Sequence, residues 1–364
     1  MEERDYWLGF SVFPGIGPFK FKKILKEFGT AKKAWDCPDV KITKVLSGKL
    51  GAKFIDFRSW FSIGNYLKNL KKENVWFLTL KDKFYPNLLS KIKNPPFVLY
   101  GKGISFEKWK DEELDRTIAV VGTRKTTQYG REVTRILGSQ LSQAGFIIVS
   151  GLAIGIDAIS HKVALESGNK TIAVLGCGAD CCNPETNKNL YNEIIEQGAV
   201  VSEVPLSYSP SKGLFPARNR IIAGLSQGVL VTEGGEDSGS LITADYALSF
   251  GRRVFAVPGP ITSSLSKGPF NLISKGAKLV TSADDILNEF KIQKSKVKIE
   301  SKKSKGETEE EEKILKILDN ESLHFDEIVR RSHFDSSKIG SLLSIMEIKG
   351  LVKNTDGGFY SIAS

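Results

Sequence analysis

Six short apolar runs constrain the fold of this chain more than any other feature. They are T-I-A-V-V-G from Thr117, F-I-I-V-S-G from Phe146, T-I-A-V-L-G from Thr171, A-V-V-S-E-V from Ala199, G-V-L-V-T-E from Gly228 and R-V-F-A-V-P-G from Arg253. Each is continuous and rich in β-branched residues rather than alternating, which suits strands covered on both faces. Helical patterns separate them, so the spacing predicts an α/β fold with a doubly wound parallel sheet. Ligands of such sheets bind beyond the carboxyl ends of the strands, so the segments after each run hold the candidate site.

Four of those segments are suited to phosphate. G-T-R-K-T-T follows the first run, where Gly122 allows close backbone approach and Arg124 offers a fork of donors. S-G-L-A-I-G-I-D-A-I-S-H follows the second, with Gly151 and Gly155 opening a helix. K-G-L-F-P-A-R-N-R follows the fourth, and E-G-G-E-D-S-G-S-L-I-T-A-D follows the fifth, with Ser238, Gly239 and Ser240 at a helix start. The block from Lys212 to Glu233 is the most informative. It places Lys212, Phe215, Arg218 and Arg220 just ahead of an apolar helix, so that cations can hold phosphates while a ring stacks on a base. Phe215 either stacks in this way or anchors its loop in the core. Arg218 and Arg220 stand two apart and need not face the same way, and one of them either meets phosphate or pairs with an acid such as Glu233.

Other chemistries lack their signatures. Gly176-Cys177-Gly178 is followed by Cys181 where a dinucleotide fingerprint needs a third glycine, and there is no Walker A sequence. No Ser-His-Asp set accompanies a glycine elbow. Asp157 and His161, four apart on a helix, read as a structural pair ahead of a base and its partner. Three of the four cysteines fall in C-G-A-D-C-C, a spacing that fits no familiar zinc module, and free thiols are expected over a zinc site. No metal, no cofactor and no catalytic residue are expected.

At 364 residues the chain exceeds one ordinary core. It has no apolar run long enough for a membrane span, and its start, M-E-E-R-D-Y-W, lacks a signal region, so no membrane association and a cytoplasmic location are expected. The formal charge of +10 is uneven: residues 1–110 carry 22 Lys and Arg against 10 Asp and Glu, and the rest carry 30 against 32. That basic third either meets an anionic polymer or is a solvated lysine surface.

Four segments follow from these patterns. Residues 1–72 read as a helical domain, in which Pro14-Gly15-Ile16-Gly17-Pro18 turns between two helices and Lys20, Lys22 and Lys23 follow at once. This looks like a helix-hairpin-helix unit, which either binds DNA backbone or only packs. Residues 73–290 hold the sheet, beginning with a connector containing a strand or two. Residues 291–307 begin a lysine run followed by glutamates, expected to be a charged linker. Residues 308–364 suggest three helices and a hairpin around Asp356-Gly357-Gly358, an order that resembles a winged helix. Its second long helix offers only Lys338 and Lys349 as cations, which favours protein contact or weak DNA contact over strong phosphate binding.

Read in order, V-G-T-R-K-T-T-x-Y-G, S-G-L-A-I-G-I-D-A-I-S-H, T-I-A-V-L-G-x-G, F-P-A-R-N-R-I-I-A-G-L-S, S-G-S-L-I-T-A and R-V-F-A-V-P-G resemble the DNA-processing protein A (DprA, or Smf) family, over roughly residues 84–290. The resemblance implies an extended Rossmann fold flanked by a helix-hairpin-helix or SAM-like domain and a winged helix. It implies a homodimer that binds incoming single-stranded DNA and loads the RecA recombinase on it during natural transformation. Carried over by motif, Thr123, Arg124, Lys212, Phe215, Arg218, Asn219 and Arg220 would contact DNA, and Ser240 and Thr243 would help line the same pocket. A second reading is a small-nucleotide enzyme or sensor of the wider superfamily that includes the phosphoribohydrolases. Their P-G-G-x-G-T-x-x-E motif corresponds here to T-E-G-G-E-D-S-G-S, which lacks the threonine and the downstream glutamate.

Overall fold

The computed structural model describes residues 1–211, 213–291, 308–318, 322–355 and 357–362. The chain divides into two compact units, Met1–Lys294 and Ser295–Ser364. The expected linker lies, from residue 292 to 307, outside the described residues, as does Lys212.

The first unit is built on a nine-stranded sheet. Its strands are β1 (Val75–Thr79), β2 (Val98–Gly103), β3 (Thr117–Val121), β4 (Ile147–Ser150), β5 (Thr171–Val174), β6 (Ala199–Ser202), β7 (Gly228–Val231), β8 (Arg253–Ala256) and β9 (Lys278–Leu279). They lie in the order β1-β2-β6-β5-β4-β3-β7-β8-β9. The six apolar runs form β3 to β8 and pair in parallel. From β3 the chain winds outward through β4, β5 and β6, then crosses back to lay β7 on the other side of β3. That reversal is the switch point of a doubly wound sheet.

Alternation along the strands explains the two covering layers. Ala119 and Val121 of β3 face a core with Ile221, Ile222 and Leu225 of the Leu214–Leu225 helix and Ala244 of the Gly239–Ser249 helix. Ile118 and Val120 face the opposite core with Leu137 and Leu141 of the Gln128–Gln143 helix and Ile156 of the Ile156–Glu166 helix. The connector that precedes β3 does more than link domains: β1 and β2 add an antiparallel edge to the sheet, with β2 paired to β6.

Six helices, Glu3–Val12, Pro18–Phe28, Ala31–Trp35, Asp39–Leu46, Gly48–Trp60 and Ile63–Lys72, pack against that edge. Their core is aromatic, with Phe10 stacked on Phe54 at 5.1 Å and edge-on to Trp35. Phe21 stacks on Phe97 at 4.1 Å, just ahead of β2. The Tyr66 hydroxyl accepts a hydrogen bond from the Leu206 amide at 3.0 Å, which ties the helices to the loop that follows β6.

In the second unit, helices Glu309–Ile317, Phe325–Ser332 and Ser336–Ile348 enclose Ile314, Ile328, Ile339, Leu343 and Met346. The expected hairpin is β11 (Val352–Thr355) with β12 (Phe359–Ile362), and a short strand not foreseen from sequence, β10 (Leu323–His324), completes the order β10-β12-β11. Asp356 of the expected turn lies outside the described residues. Both cations expected on the last helix are held in ion pairs, Lys338 with Glu310 at 2.6 Å and Lys349 with Glu311 at 2.9 Å. Among the described residues no helix is long and apolar enough to cross a membrane.

The Phe21–Phe97 stack joins the helices to the chain just ahead of β2, and both rings are buried. Phe21→Ala should therefore cost about 3–5 kcal/mol, read by urea denaturation of the full chain. A loss below about 1 kcal/mol would show that the helices are held to the edge by other contacts.

Candidate nucleic-acid interface

A cavity of about 520 Å³ opens at the switch point, lined by the segments that follow β3, β4, β6, β7 and β8. The ends of β3 and β7 are tied by the Thr123 amide, which donates to the Glu233 carbonyl at 2.7 Å. The Glu233 carboxylate, almost wholly buried, accepts from the Thr127 amide at 3.0 Å and from its hydroxyl at 2.6 Å. Glu233 thus fixes the turn that carries Arg124, and it is not the partner of either helix arginine.

After β4 the chain passes closely under that turn. Gly155 has φ +88, and a Cβ there would come within 2.3 Å of the Thr123 carbonyl oxygen. The Ile156 amide donates to the same carbonyl at 3.2 Å. Gly151 lies against Arg218: a Cβ would fall 1.5 Å from Nη1, so the guanidinium occupies the space that a side chain would take.

The Leu214–Leu225 helix supplies one wall. Phe215, Arg218 and Asn219 share a face at i, i+3 and i+4 and line the cavity. Phe215 is half-buried, and the Arg124 guanidinium lies 5.9 Å from its ring centroid. Asn219 donates to the Gly239 carbonyl at 3.1 Å, joining this wall to the next helix. The Gly239–Ser249 helix points its first turn at the cavity, capped by Ser238, whose hydroxyl lies 2.7 Å from that of Ser240. Thr243 is buried one turn further along, and it too lines the space.

Of the residues singled out in the sequence, Thr123, Arg124, Phe215, Arg218, Asn219, Ser240 and Thr243 therefore surround one cavity. Arg220 does not join them. It turns to the opposite side, donating to the Asn94 carbonyl at 2.7 Å and pairing with Glu203. The expectation of an acidic partner for one arginine is met by Glu203, not by Glu233. Sequence reasoning missed Lys267, Glu236 and Asp237, which also line the cavity; Lys267 and Glu236 lie 3.6 Å apart at the rim. Extending the strand-end rule to the segment after β8 would have found Lys267.

Arg218 forms the floor and is only 6% exposed. Its Nε is buried with no hydrogen-bond partner, and among the described residues the side chain makes no ion pair within 4.0 Å. Burial lowers its pKa and raises that of nearby Asp157, while each charge partly offsets the shift of the other. Asp157 does not bond His161, as a base and its orienting partner would. Asp157 accepts from the Gly151 amide at 3.1 Å, and His161 Nδ1 meets the Thr171 hydroxyl at 2.7 Å. That hydroxyl itself donates to the Ile148 carbonyl, so Nδ1 carries the proton and Nε2 is left buried and unpartnered. The four cysteines are free thiols, and burial pushes the Cys177 thiol far up. Among the described residues no three His, Cys, Asp or Glu side chains cluster as metal ligands.

Comparison with known proteins agrees with this architecture. A family model described as DNA recombination-mediator protein A matches residues 76–291, and one described as DprA winged helix domain matches residues 300–358. The protein Smf of Synechocystis sp. is 39% identical over 287 residues, which span 78% of this chain and 72% of that protein. The X-ray structure of DNA processing protein A from Streptococcus pneumoniae superposes with a TM-score of 0.68 at 36% identity, covering 78% of this chain and 97% of that one. The Helicobacter pylori DNA processing protein A, studied for its single-stranded DNA binding mode, gives 0.52 at 30% identity, covering 60% and 97%.

The buried imidazole beneath the cavity has a measurable consequence. Burial first, and Arg218 second, press the His161 pKa from 6.5 to about 3. Below its ordinary value the unfolded chain takes a proton that the folded chain excludes. Stability is therefore intact above 6.5 and falls as pH drops toward 3. At about pH 5 the loss from this group is about 2 kcal/mol, and His161→Gln should be less sensitive than the parent between about pH 8 and about pH 5 in urea denaturation. An identical pH dependence would contradict this assignment.

Proposed function

This chain belongs to the DNA recombination-mediator protein A family, and we propose that it binds single-stranded DNA at the switch-point cavity, shields the strand and loads the RecA recombinase on it during natural transformation. The observation that carries the reading is the arrangement of Arg124 over the half-buried Phe215, at the mouth of a cavity floored by Arg218. A guanidinium beside an aromatic ring offers a phosphate contact and a stacking platform within one nucleotide's reach. The Gly239–Ser249 helix adds its positive end. Duplex bases are stacked and paired, so a half-buried ring at a cavity mouth suits a splayed single strand better.

In this reading the protein acts without turnover, in the cytoplasm and as a homodimer. The groups around the cavity support the first point. The Ser238 and Ser240 hydroxyls face each other, Glu233 is held by Thr127, and His161 sits beneath with Thr171. The His161 imidazole donates to the Thr171 hydroxyl and so is no base for it, and the Thr127–Glu233 pair stands at a helix start outside the cavity lining. The cavity volume also suits a small nucleotide, which keeps a sensor or enzyme as the second reading.

Fluorescence anisotropy of labelled single strands across a salt series tests the proposal. Phe215→Ala should weaken binding by about 1–3 kcal/mol, or about 5- to 150-fold, and Arg124→Ala should flatten the salt slope by about 0.7. Binding unchanged in both variants would remove the cavity from the DNA path. Incubation with nucleoside monophosphates should release no free base, and release would establish the second reading. Recombinase loading is read separately, as faster RecA assembly on strands precoated with a single-strand binding protein. A monomeric mass at micromolar concentration would remove the homodimer.

A further inference from the structure

Thirteen lysines fall within residues 1–72, and all are exposed. Among the described residues none forms an ion pair, whereas the two arginines of the same helices do, Arg4 with Asp82 and Arg58 with Asp39. Three of the seven acids in this stretch are engaged elsewhere, Asp39 with Arg58 and the other two with backbone amides. Glu3 accepts from the Ala31 and Lys32 amides at 2.6 and 3.1 Å, and Asp5 accepts from the Glu2 amide at 2.7 Å. A fold that only needed soluble helices would be expected to lace such a surface with acid–base pairs. Here the lysines outnumber the acids by thirteen to seven and face water with no ion pair among the described residues.

Part of that charge is gathered on one face. The Lys20 ammonium donates to the Gly15 carbonyl at 2.9 Å, which holds it over the turn between the first two helices. A Cβ at Gly15 would lie 3.1 Å from Leu50 Cδ1, so the turn stands beside the start of the Gly48–Trp60 helix and its Lys49. The Asp39–Leu46 helix, with Lys44 in its last turn, packs on both neighbours. Phe21 and Ile24 bury the inner side of the Pro18–Phe28 helix, leaving Lys23 and Phe19 outward, the latter 77% exposed. A flat ring amid such lysines fits a polyanion with bases.

Resting on the single-strand reading of the cavity, we infer that this lysine face is a second DNA contact, which takes the sugar–phosphate backbone of the strand beyond the nucleotides held at the switch point. The two surfaces are structurally joined. The loop after β6 that leads to Phe215 is pinned to the helices by the Leu206 amide on the Tyr66 hydroxyl. The contact is independent of sequence, because lysines here reach phosphate and not base edges.

The test is anisotropy with a strand of about 6 nucleotides and one of about 40, using the full chain, Arg124→Ala, and a quadruple variant Lys20→Ala, Lys23→Ala, Lys44→Ala, Lys49→Ala. All four lysines are solvent-exposed, and an unchanged urea midpoint serves as the folding control. The quadruple variant should bind the short strand as the parent does. On the long strand it should lose about tenfold or more in affinity, and up to about 3 in salt slope at about 0.7 per contact. Parental affinity and slope on the long strand would overturn the inference. If Arg124→Ala keeps full binding to both strands while the quadruple variant loses the long one, the cavity reading fails and the lysine face stands.

Discussion

The Thr123 amide on the Glu233 carbonyl closes the ends of β3 and β7, the two neighbours between which the winding of the sheet reverses. The rest of the candidate site depends on that closure. It fixes the turn that carries Arg124, and the Glu233 carboxylate then locks the start of the following helix through Thr127. The same turn leaves so little room beneath it that Gly155 has to pass with positive φ against the Thr123 carbonyl. Local geometry set by one backbone hydrogen bond thereby propagates to three strand ends.

Electrostatics at the floor follow from burial. A guanidinium with an unpartnered Nε, set against Gly151 and near a buried carboxylate, is costly in the unliganded protein. An incoming phosphate would supply the missing hydrogen bonds, so part of that cost is recovered on binding. The exposed cation at the mouth, Arg124, acts differently: it is screened by salt and its contribution depends on ionic strength. In the proposed reading the two arginines would divide the work between a desolvated anchor and a salt-screened rim contact.

The sheet was largely legible in the sequence because strands covered on both faces leave continuous apolar runs, and all six were found that way. The strand-end rule then pointed to most of the residues that surround the cavity. The directions of Arg218 and Arg220 were not legible. Two residues apart on a helix lie about 200° apart, so one faced the cavity and the other Glu203, and which did which depends on where the helix begins. The antiparallel edge was also hidden, since β1 and β2 read as connector until their pairing with β6 is seen. Lys267 lies in the segment after β8, within reach of the strand-end rule, whereas its closeness to Glu236 on another loop has no local mark in the sequence.

Photocrosslinking most directly tests whether the strand lies in the switch-point cavity. A single strand carrying a photoreactive pyrimidine would be irradiated with the full chain and the crosslinked peptide identified by mass spectrometry. The peptide running from Gly213 to Arg218, which contains Phe215, is expected to carry the nucleotide, and Phe215→Ala should abolish that adduct. Crosslinks confined to residues 308–364, with the Phe215 peptide unmodified, would place the strand elsewhere and contradict the account.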